Sequence, residues 1–316
     1  MSTEITFSLG WPVNLCKILG MNRRTFIESS FAAAAVTSLP FRGLAAAHQL
    51  DAVGMQLYTV RGLMGTDVPG TIAKVAKIGY KQVEFAGYPN LYSPKDLRAL
   101  LDANGLSSPS VHVSYDVVQN RMPQAIEAAH VLGHKYIICP WIDDSQRASV
   151  DGYKRAAELF NKAGEASHKA GVQFGYHNHF WEFLPDKNLG DKLPYDFLLE
   201  SCAPANLTME LDLCWITVAK KDPVAYFKKY PGRFSEVHVK DLNRIPPIVP
   251  GKSSEQMIDD ASAGFTAIGG GVIDWKTLLP AAQDAGVKYF FVENDAPKDA
   301  ITNLTESYAY LSKLRF

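Results

Sequence analysis

Residues 68–86 read VPGTIAKVAKIGYKQVEFA, and this stretch contains the structural unit that the rest of the chain repeats. Its first part, Val68–Ile78, carries apolar residues at the three- and four-residue spacing of an amphipathic helix. Gly79 supplies a helix stop, because glycine readily adopts the left-handed conformation that ends helices. A β-rich run follows at 81–86. The stretch therefore predicts a helix, a turn and a strand in close succession.

The same unit recurs from residue 52 onward. The predicted strands lie at 53–58, 81–86, 109–115, 135–141, 172–179, 207–213, 235–240 and 288–294. The predicted helices are Val68–Ile78, Pro94–Ala103, Met122–Leu132, Tyr153–Ala170, Tyr195–Cys202, Pro223–Lys229, Trp275–Ala285 and Ile301–Leu314. The predicted glycine stops are Gly79, Gly105, Gly133, Gly171, Gly232 and Gly286.

Strict alternation of strands and helices indicates a parallel sheet. Eight such units in about 265 residues favour a closed (β/α)8 TIM barrel over an open doubly wound sheet. No Gly-x-Gly-x-x-Gly follows the first strand, which argues against a dinucleotide-binding sheet. The sequence therefore predicts an α/β protein with a TIM barrel at 48–316.

The composition is that of a globular protein. Of 316 residues, 47% are hydrophobic and 21% are charged, which excludes a disordered chain. Lys and Arg number 32 against 33 Asp and Glu, so no basic field is available to attract a nucleic acid. No apolar run reaches the roughly 20 residues that span a bilayer. We expect neither a nucleic-acid partner nor a membrane span, and the oligomeric state stays open.

The first 47 residues have the order of an export signal. Arg23 and Arg24 with Phe26 precede a small, apolar segment at 31–36, and an Ala-x-Ala end follows at 45–47. The paired arginines resemble the twin-arginine class of signal. We therefore expect a periplasmic or exported protein. The alternative is an ordinary amphipathic helix that carries two arginines.

Polar side chains collect where the predicted strands end, which is the face that carries the active site in TIM barrels. Residues of this kind are Glu84, His112, Trp141, His177, His179, Glu210, Asp212, His238, Lys240, Glu293 and Asp295. Burying such charges without a partner costs several kcal/mol each. A divalent cation held by His177, Asp212, His238 and Glu293 would offset that cost. Mixed nitrogen and oxygen ligands suit Mn, Fe, Co or Zn better than Ca; the alternative is an ion-pair network at the rim.

Six strings between residues 53 and 295 resemble the xylose-isomerase-like TIM barrels, the sugar phosphate isomerase/epimerase superfamily. They are VGMQLYTVR at 53–61, VEFAG at 83–87, YHNH at 176–179, ELDL at 210–213, HVKD at 238–241 and VEND at 292–295. The resemblance implies one divalent metal ion, held by the usual ligand set Glu, Asp, His and Glu. Asp212, His238 and Glu293 match that set, whereas His177 stands where a glutamate is usual.

The resemblance implies a sugar isomerase or epimerase that removes a proton next to a carbonyl and passes through an enediolate. Glu293 or His179 would take the proton, and His177 or His179 would act as a second base near neutral pH. Lys240 would contact the developing oxyanion, or form a salt bridge with Asp241 or Asp212 instead. The predicted substrate-binding residues are Glu84, His112, Trp141, Glu182 and Trp215.

Two other functions remain open at this point. The same enediolate can expel a leaving group, which would make the protein a lyase or hydratase acting on a keto-glycoside or keto-sugar. A barrel without turnover would be a periplasmic sugar-binding protein. The glycine run at 268–272 is interpreted as a turn rather than a phosphate-binding loop. The long segment 243–271 is predicted to cover the sugar.

Overall fold

The computed structural model describes residues 49–249 and 252–316, and these residues contain a closed barrel of eight parallel strands. The strands are β1 Gly54–Gln56, β2 Gln82–Ala86, β3 Ser107–His112, β4 Tyr136–Cys139, β5 Gln173–His177, β6 Thr208–Asp212, β7 Phe234–Val239 and β8 Tyr289–Val292. Each strand pairs with its neighbours in chain order, and β8 closes the barrel on β1. The predicted TIM barrel is confirmed.

Eight helices follow the eight strands. They are α1 Val68–Ile78, α2 Pro94–Ala103, α3 Met122–Leu132, α4 Val150–Lys169, α5 Pro194–Ser201, α6 Pro223–Lys229, α7 Trp275–Asp284 and α8 Ala300–Leu311. The bounds of α1, α2, α3 and α6 are those that the sequence predicts. All six predicted glycine stops have positive φ angles, such as 127° at Gly79, which confirms them.

The strands are shorter than predicted, and their excess residues belong to loops at the barrel mouth. After β1 the chain turns into a 3-10 helix at Leu57–Val60, and after β6 it enters a short helix at Leu213–Val218. The side chain of Asp212 caps that helix, since its Oδ1 accepts from the backbone N–H groups of Cys214 and Trp215. The β-rich composition of these segments therefore reflects burial rather than pairing.

Further short helices were missed by the sequence analysis. They are Arg61–Met64, Tyr115–Asn120, Asp144–Arg147 and Ser254–Ser262. Each is too short for its apolar spacing to stand out from that of a loop. The export signal predicted for residues 1–47 lies outside the described residues and stays a prediction. Within the described ranges, no helix has the length and apolar character needed to cross a membrane.

The alternation of side chains along the strands separates two cores. In β2, Val83 and Phe85 are buried among the apolar residues that pack the strands against the helices. Glu84 lies between them in sequence, is fully buried, and points into the barrel, where it meets Ser110 and His238. The barrel interior is therefore polar towards its C-terminal end, and this polarity positions the site.

The stability of the barrel should fall as His134 becomes protonated. Burial lowers the pKa of His134 to about 4, and its Nδ1–H donates to the carbonyl of Ser108 at 2.6 Å. The unfolded chain binds this proton near pH 6.5, so the unfolded state takes up more protons than the folded state between pH 6.5 and 4. The free energy of unfolding should then decrease by about 1 kcal/mol for each pH unit in that window.

The substitution His134→Asn tests this because it keeps a donor for Ser108 and removes the titrating ring. Urea unfolding at pH 7.5, 6.0 and 5.0 should show a shallower pH dependence for the variant than for the unaltered protein. His168→Asn is the control, since His168 is an exposed histidine in the last turn of α4. Identical pH slopes for His134→Asn and the unaltered protein would contradict the prediction.

Candidate active site

A cavity of about 790 Å³ opens at the C-terminal ends of the strands. The predicted site residues on its wall are His112, Trp141, His177, His179, Trp215, Lys240 and Glu293. Asp295, which the sequence analysis placed at this face without a role, also lies on this wall. The structure therefore brings most of the predicted residues together at one mouth of the barrel.

The four predicted metal ligands converge beneath this cavity. His177 ends β5, Asp212 ends β6, His238 lies on β7, and Glu293 directly follows β8. One ligand atom from each residue lies within 4.8 Å of the others, and all four residues are buried. Four consecutive strands of the barrel thus deliver two imidazoles and two carboxylates to one point.

Three atoms of this set have unused bonding capacity. His177 Nε2, Asp212 Oδ2 and His238 Nδ1 are buried and make no well-aligned hydrogen bond within the described residues. Buried polar atoms are almost always paired, so such a group calls for an explanation. Burial, together with the neighbouring His238, lowers the pKa of His177 to about 4, which keeps its ring neutral and able to donate a lone pair. The set fits a divalent transition-metal ion.

A second cluster below the ligand set holds His238 in place. Its members are Glu84, His112, Glu210 and His238. His238 Nε2 lies 2.8 Å from Glu84 Oε2 and 3.1 Å from Glu210 Oε1, which leaves Nδ1 facing Glu293 and Asp212. Burial lowers the pKa of His238, but the charges of Glu210 and Glu293 raise it further, to well above its ordinary value. The negative charges that favour a proton on the His238 ring also favour a metal cation beside it.

Glu84 was predicted to bind substrate, and the structure corrects this. Its carboxylate is fully buried, bonds to Gln56, Ser110 and His238, and lies below the residues that line the cavity. Glu210 has the same position on β6. The sequence analysis placed it at the strand end, on the face that it shares with Asp212, but gave it no role in the site.

Lys240 joins the carboxylates at the cavity wall. Its Nζ lies 2.8 Å from Glu293 Oε2, 3.1 Å from Asp212 Oδ2 and 2.9 Å from Asp295 Oδ1. Burial would lower the pKa of Lys240, but these carboxylates raise it well above its usual range, so the ammonium stays charged. Of the two predicted salt-bridge alternatives, the one with Asp212 is confirmed and the one with Asp241 is wrong.

Asp241 instead fixes the segment that follows β7. Its carboxylate accepts hydrogen bonds from the backbone N–H groups of Gly269 and Gly271 and from the indole of Trp275. The glycine run is therefore a turn, as predicted, and these two amides are already used within the chain. Ile258, on the short helix of the segment 243–271, reaches the cavity wall.

His179 lies just beyond β5 and is held by the residues that follow it. Its ring stacks on Trp181, with centroids 4.4 Å apart, and its backbone N–H donates to Glu182 Oε2 at 2.8 Å. Burial, with the nearby His177, lowers the pKa of His179 well below its ordinary value, so the ring is neutral. Its Nδ1 has no hydrogen-bond partner among the residues described.

Glu182 was also predicted to bind substrate, and it does not reach the cavity. It is 1% exposed, and its second oxygen accepts a 2.7 Å hydrogen bond from the hydroxyl of Tyr176. The residue holds the loop that carries His179. Trp141 meets the edge of the His179 ring at 5.1 Å and lies on the cavity wall, as does Trp215.

Comparison with known proteins agrees with this geometry. The family described as "Xylose isomerase-like TIM barrel" matches residues 72–314. The chain belongs to this family.

An inosose dehydratase from Lacticaseibacillus casei is 23% identical over 237 residues, which cover 68% of this chain and 77% of that protein. A sugar phosphate isomerase/epimerase from Parabacteroides distasonis superposes with a TM-score of 0.65 at 24% identity, covering 84% of this chain and 94% of that one. The IolI protein, whose structure has a zinc atom, gives 0.64 at 14% identity, covering 83% of this chain and 98% of that one. The prediction of an enzyme of the isomerase or lyase type is confirmed.

In this xylose isomerase-like barrel, Glu84 should control metal affinity through His238. Glu84→Gln removes the charge that faces His238 Nε2 while keeping the side chain's size. Loss of such a supporting carboxylate typically lowers metal affinity 10–100-fold. Titration of the metal-free protein with Zn²⁺ or Mn²⁺ in a calorimeter measures the effect.

Glu236→Gln is the matched control for this titration. Glu236 is an equally buried glutamate of the barrel interior, but its hydrogen bond goes to Ser110 rather than to His238. We expect its metal affinity to stay within about twofold of the unaltered protein. Equal affinities in Glu84→Gln and the unaltered protein would show that the carboxylate does not support the ligand.

Proposed function

We propose that this protein is a metal-dependent lyase that acts on a keto-sugar or keto-glycoside. It removes the proton next to the carbonyl and expels the oxygen substituent one carbon further on. The observation that carries the proposal is the pairing of the His177, Asp212, His238 and Glu293 cluster with one unpartnered, neutral imidazole, His179, on the same cavity wall. The dehydratase relatives support the elimination.

The ligand set would hold one divalent ion, and Mn, Fe, Co and Zn all suit its donors. Such an ion polarises a sugar carbonyl and stabilises negative charge on its oxygen. His177 Nε2 and Asp212 Oδ2 are buried and lie 3.4 Å apart, so these side chains are already placed for this task. The ligand set is therefore arranged for a metal ion without any substrate.

Residues of the chain remove the α proton and return it to the departing oxygen. The unpartnered His179 ring nitrogen accepts the proton from the α carbon, and the C–H electron pair moves into the carbonyl to give the enediolate. Lys240, charged and beside the cavity, stabilises the oxygen that becomes negative. The C–O bond at the β carbon then breaks, and the departing oxygen takes the proton back from His179. The products are an unsaturated ketone and an alcohol or water.

Epimerisation is the second candidate, and Glu293 is the observation that favours it. An epimerase needs bases on opposite faces of the reacting carbon, and Glu293 lines the same cavity as His179. In the present arrangement, however, Glu293 Oε2 contacts both His238 Nδ1 at 2.7 Å and Lys240 Nζ at 2.8 Å. A carboxylate held by two cationic partners is a poor base, since both contacts stabilise its charged form.

A sugar without a phosphate group suits the site better than a sugar phosphate. The amides of Gly269 and Gly271 donate to Asp241, so this glycine run does not offer them to a phosphate. The export signal predicted for residues 1–47 supports the same choice, since sugar phosphates are scarce outside the cytoplasm. We therefore propose a neutral keto-sugar unit in an exported protein.

The first test is metal content. Protein purified without chelator should contain near one equivalent of Mn, Fe, Co or Zn by elemental mass spectrometry. Asp212→Ala should lose it, because one of the two carboxylates of the buried ligand set is removed. Absence of metal from the unaltered protein, with none taken up on titration, would rule out the proposed site.

The second test is turnover with His179→Ala. This change should lower kcat by about 10²–10⁴-fold, the usual effect of losing a general base, while the metal content stays unchanged. Absorbance of the conjugated ketone reports elimination, and exchange of the α hydrogen in D₂O without elimination would indicate epimerisation instead. Full activity in His179→Ala would remove the imidazole from the mechanism.

A further inference from the structure

The cavity has two chemically different halves. The ends of strands β5–β8 carry His177, His179, the carboxylates and Lys240. His112 at the end of β3 and the loops and helices that follow β2, β3 and β4 form the remaining wall. In the closed strand order, β2, β3 and β4 face β6, β7 and β8 across the barrel. A molecule bound at the ligand set therefore extends towards the wall above β2–β4.

This second wall is largely apolar. Its members are Tyr88, Pro94, Val117, Ala125, Ala128 and Pro140, which we call the apolar wall. Ala125 and Ala128 lie on α3, and the Tyr88 ring is backed by the parallel ring of His134, with centroids 6.0 Å apart. Such a surface has few hydrogen-bonding groups for sugar hydroxyls and favours a flat, apolar group.

The size of the cavity points the same way. A volume of about 790 Å³ lies in the upper part of the roughly 300–1,000 Å³ range of sites that enclose drug-sized ligands. A single sugar ring at the ligand set leaves the space beside the apolar wall unfilled. Asn90, Arg121 and Gln124 stand among the residues at this end and offer polar partners for a few substituents.

We propose that the apolar wall binds the aromatic aglycone of a keto-glycoside. The inference rests on the proposed lyase function and names its substrate class. For elimination to release an aglycone from the anomeric carbon C1, that carbon must be β to the carbonyl, which places the carbonyl at C3 and the abstracted proton at C2. The C1–O bond breaks, the aglycone leaves as a phenol that has regained the proton from C2, and a C1=C2 double bond remains.

The first experiment compares phenyl and methyl 3-keto-β-glucosides as substrates of the metal-loaded protein. We expect KM for the phenyl compound to be at least about tenfold lower, because only its ring buries apolar surface against the wall. KM is compared rather than kcat because phenoxide is a better leaving group than methoxide, and this difference acts mainly on the rate of C–O cleavage. Equal KM values for the two substrates would overturn the proposal.

Val117→Asp tests the wall directly. Val117 is half-buried on the short helix Tyr115–Asn120, and a carboxylate there should raise KM for the phenyl substrate about tenfold while leaving KM for the methyl substrate within twofold. Gln119→Asp is the matched control, because it puts the same charge on an exposed position of the same helix. An equal response of both substrates to Val117→Asp would contradict the inference.

Binding of 2-naphthol alone separates this inference from the proposed function. Fluorescence titration of the unaltered protein should show saturable binding that Val117→Asp weakens about tenfold and Gln119→Asp does not. This result without turnover of either glycoside would support the aromatic subsite and contradict the lyase. Turnover of both glycosides with no naphthol binding and no phenyl preference would support the lyase and reject the subsite.

Discussion

The site depends on the two-sided environment of His238. One nitrogen of this ring faces Glu84 and Glu210 inside the barrel, and the other faces Glu293 and Asp212 at its mouth. A fully buried imidazole between four carboxylates is tolerable only if positive charge is present, since isolated buried carboxylates cost several kcal/mol each. The arrangement therefore couples the barrel interior to the cavity. Lys240 supplies positive charge at the mouth, and the ligand set there fits a divalent cation.

The fold could be predicted from the sequence because each repeat carries independent signals. Glycine stops and apolar periodicity agree in α1, α2, α3 and α6, whose predicted bounds match the structure. The strand ends were placed less well, since β-rich composition persists into loops that are buried by other contacts. At Leu57, for example, the apolar run continues while the ladder has already ended at Gln56.

The ligand set could also be predicted, because strand parity and position at the barrel mouth suffice to choose residues. Parity does not give depth along the barrel axis, and this is why Glu84 was assigned to the substrate although it lies below the cavity. Strand parity also says nothing about residues outside the strands. Glu182 was therefore predicted to bind substrate, although its carboxylate accepts hydrogen bonds from Tyr176 and from the His179 amide. Asp295 was placed at the barrel mouth but given no role, because its role comes from a contact with Lys240 that no sequence spacing encodes.

The histidine at position 177 changes the charge of the site rather than its geometry. With His177 neutral, the four ligands carry two negative charges, whereas a glutamate at this position would give three. Lys240 and Asp295 add one charge of each sign as an adjacent pair. A divalent ion held by this set would be neutralised without excess negative charge, so an oxygen that becomes negative beside it would meet less repulsion. In the proposed mechanism, His179 is the single base, and its Nδ1 makes no hydrogen bond within the described residues. One base beside a strongly stabilised oxygen would favour elimination over return of a proton on the opposite face.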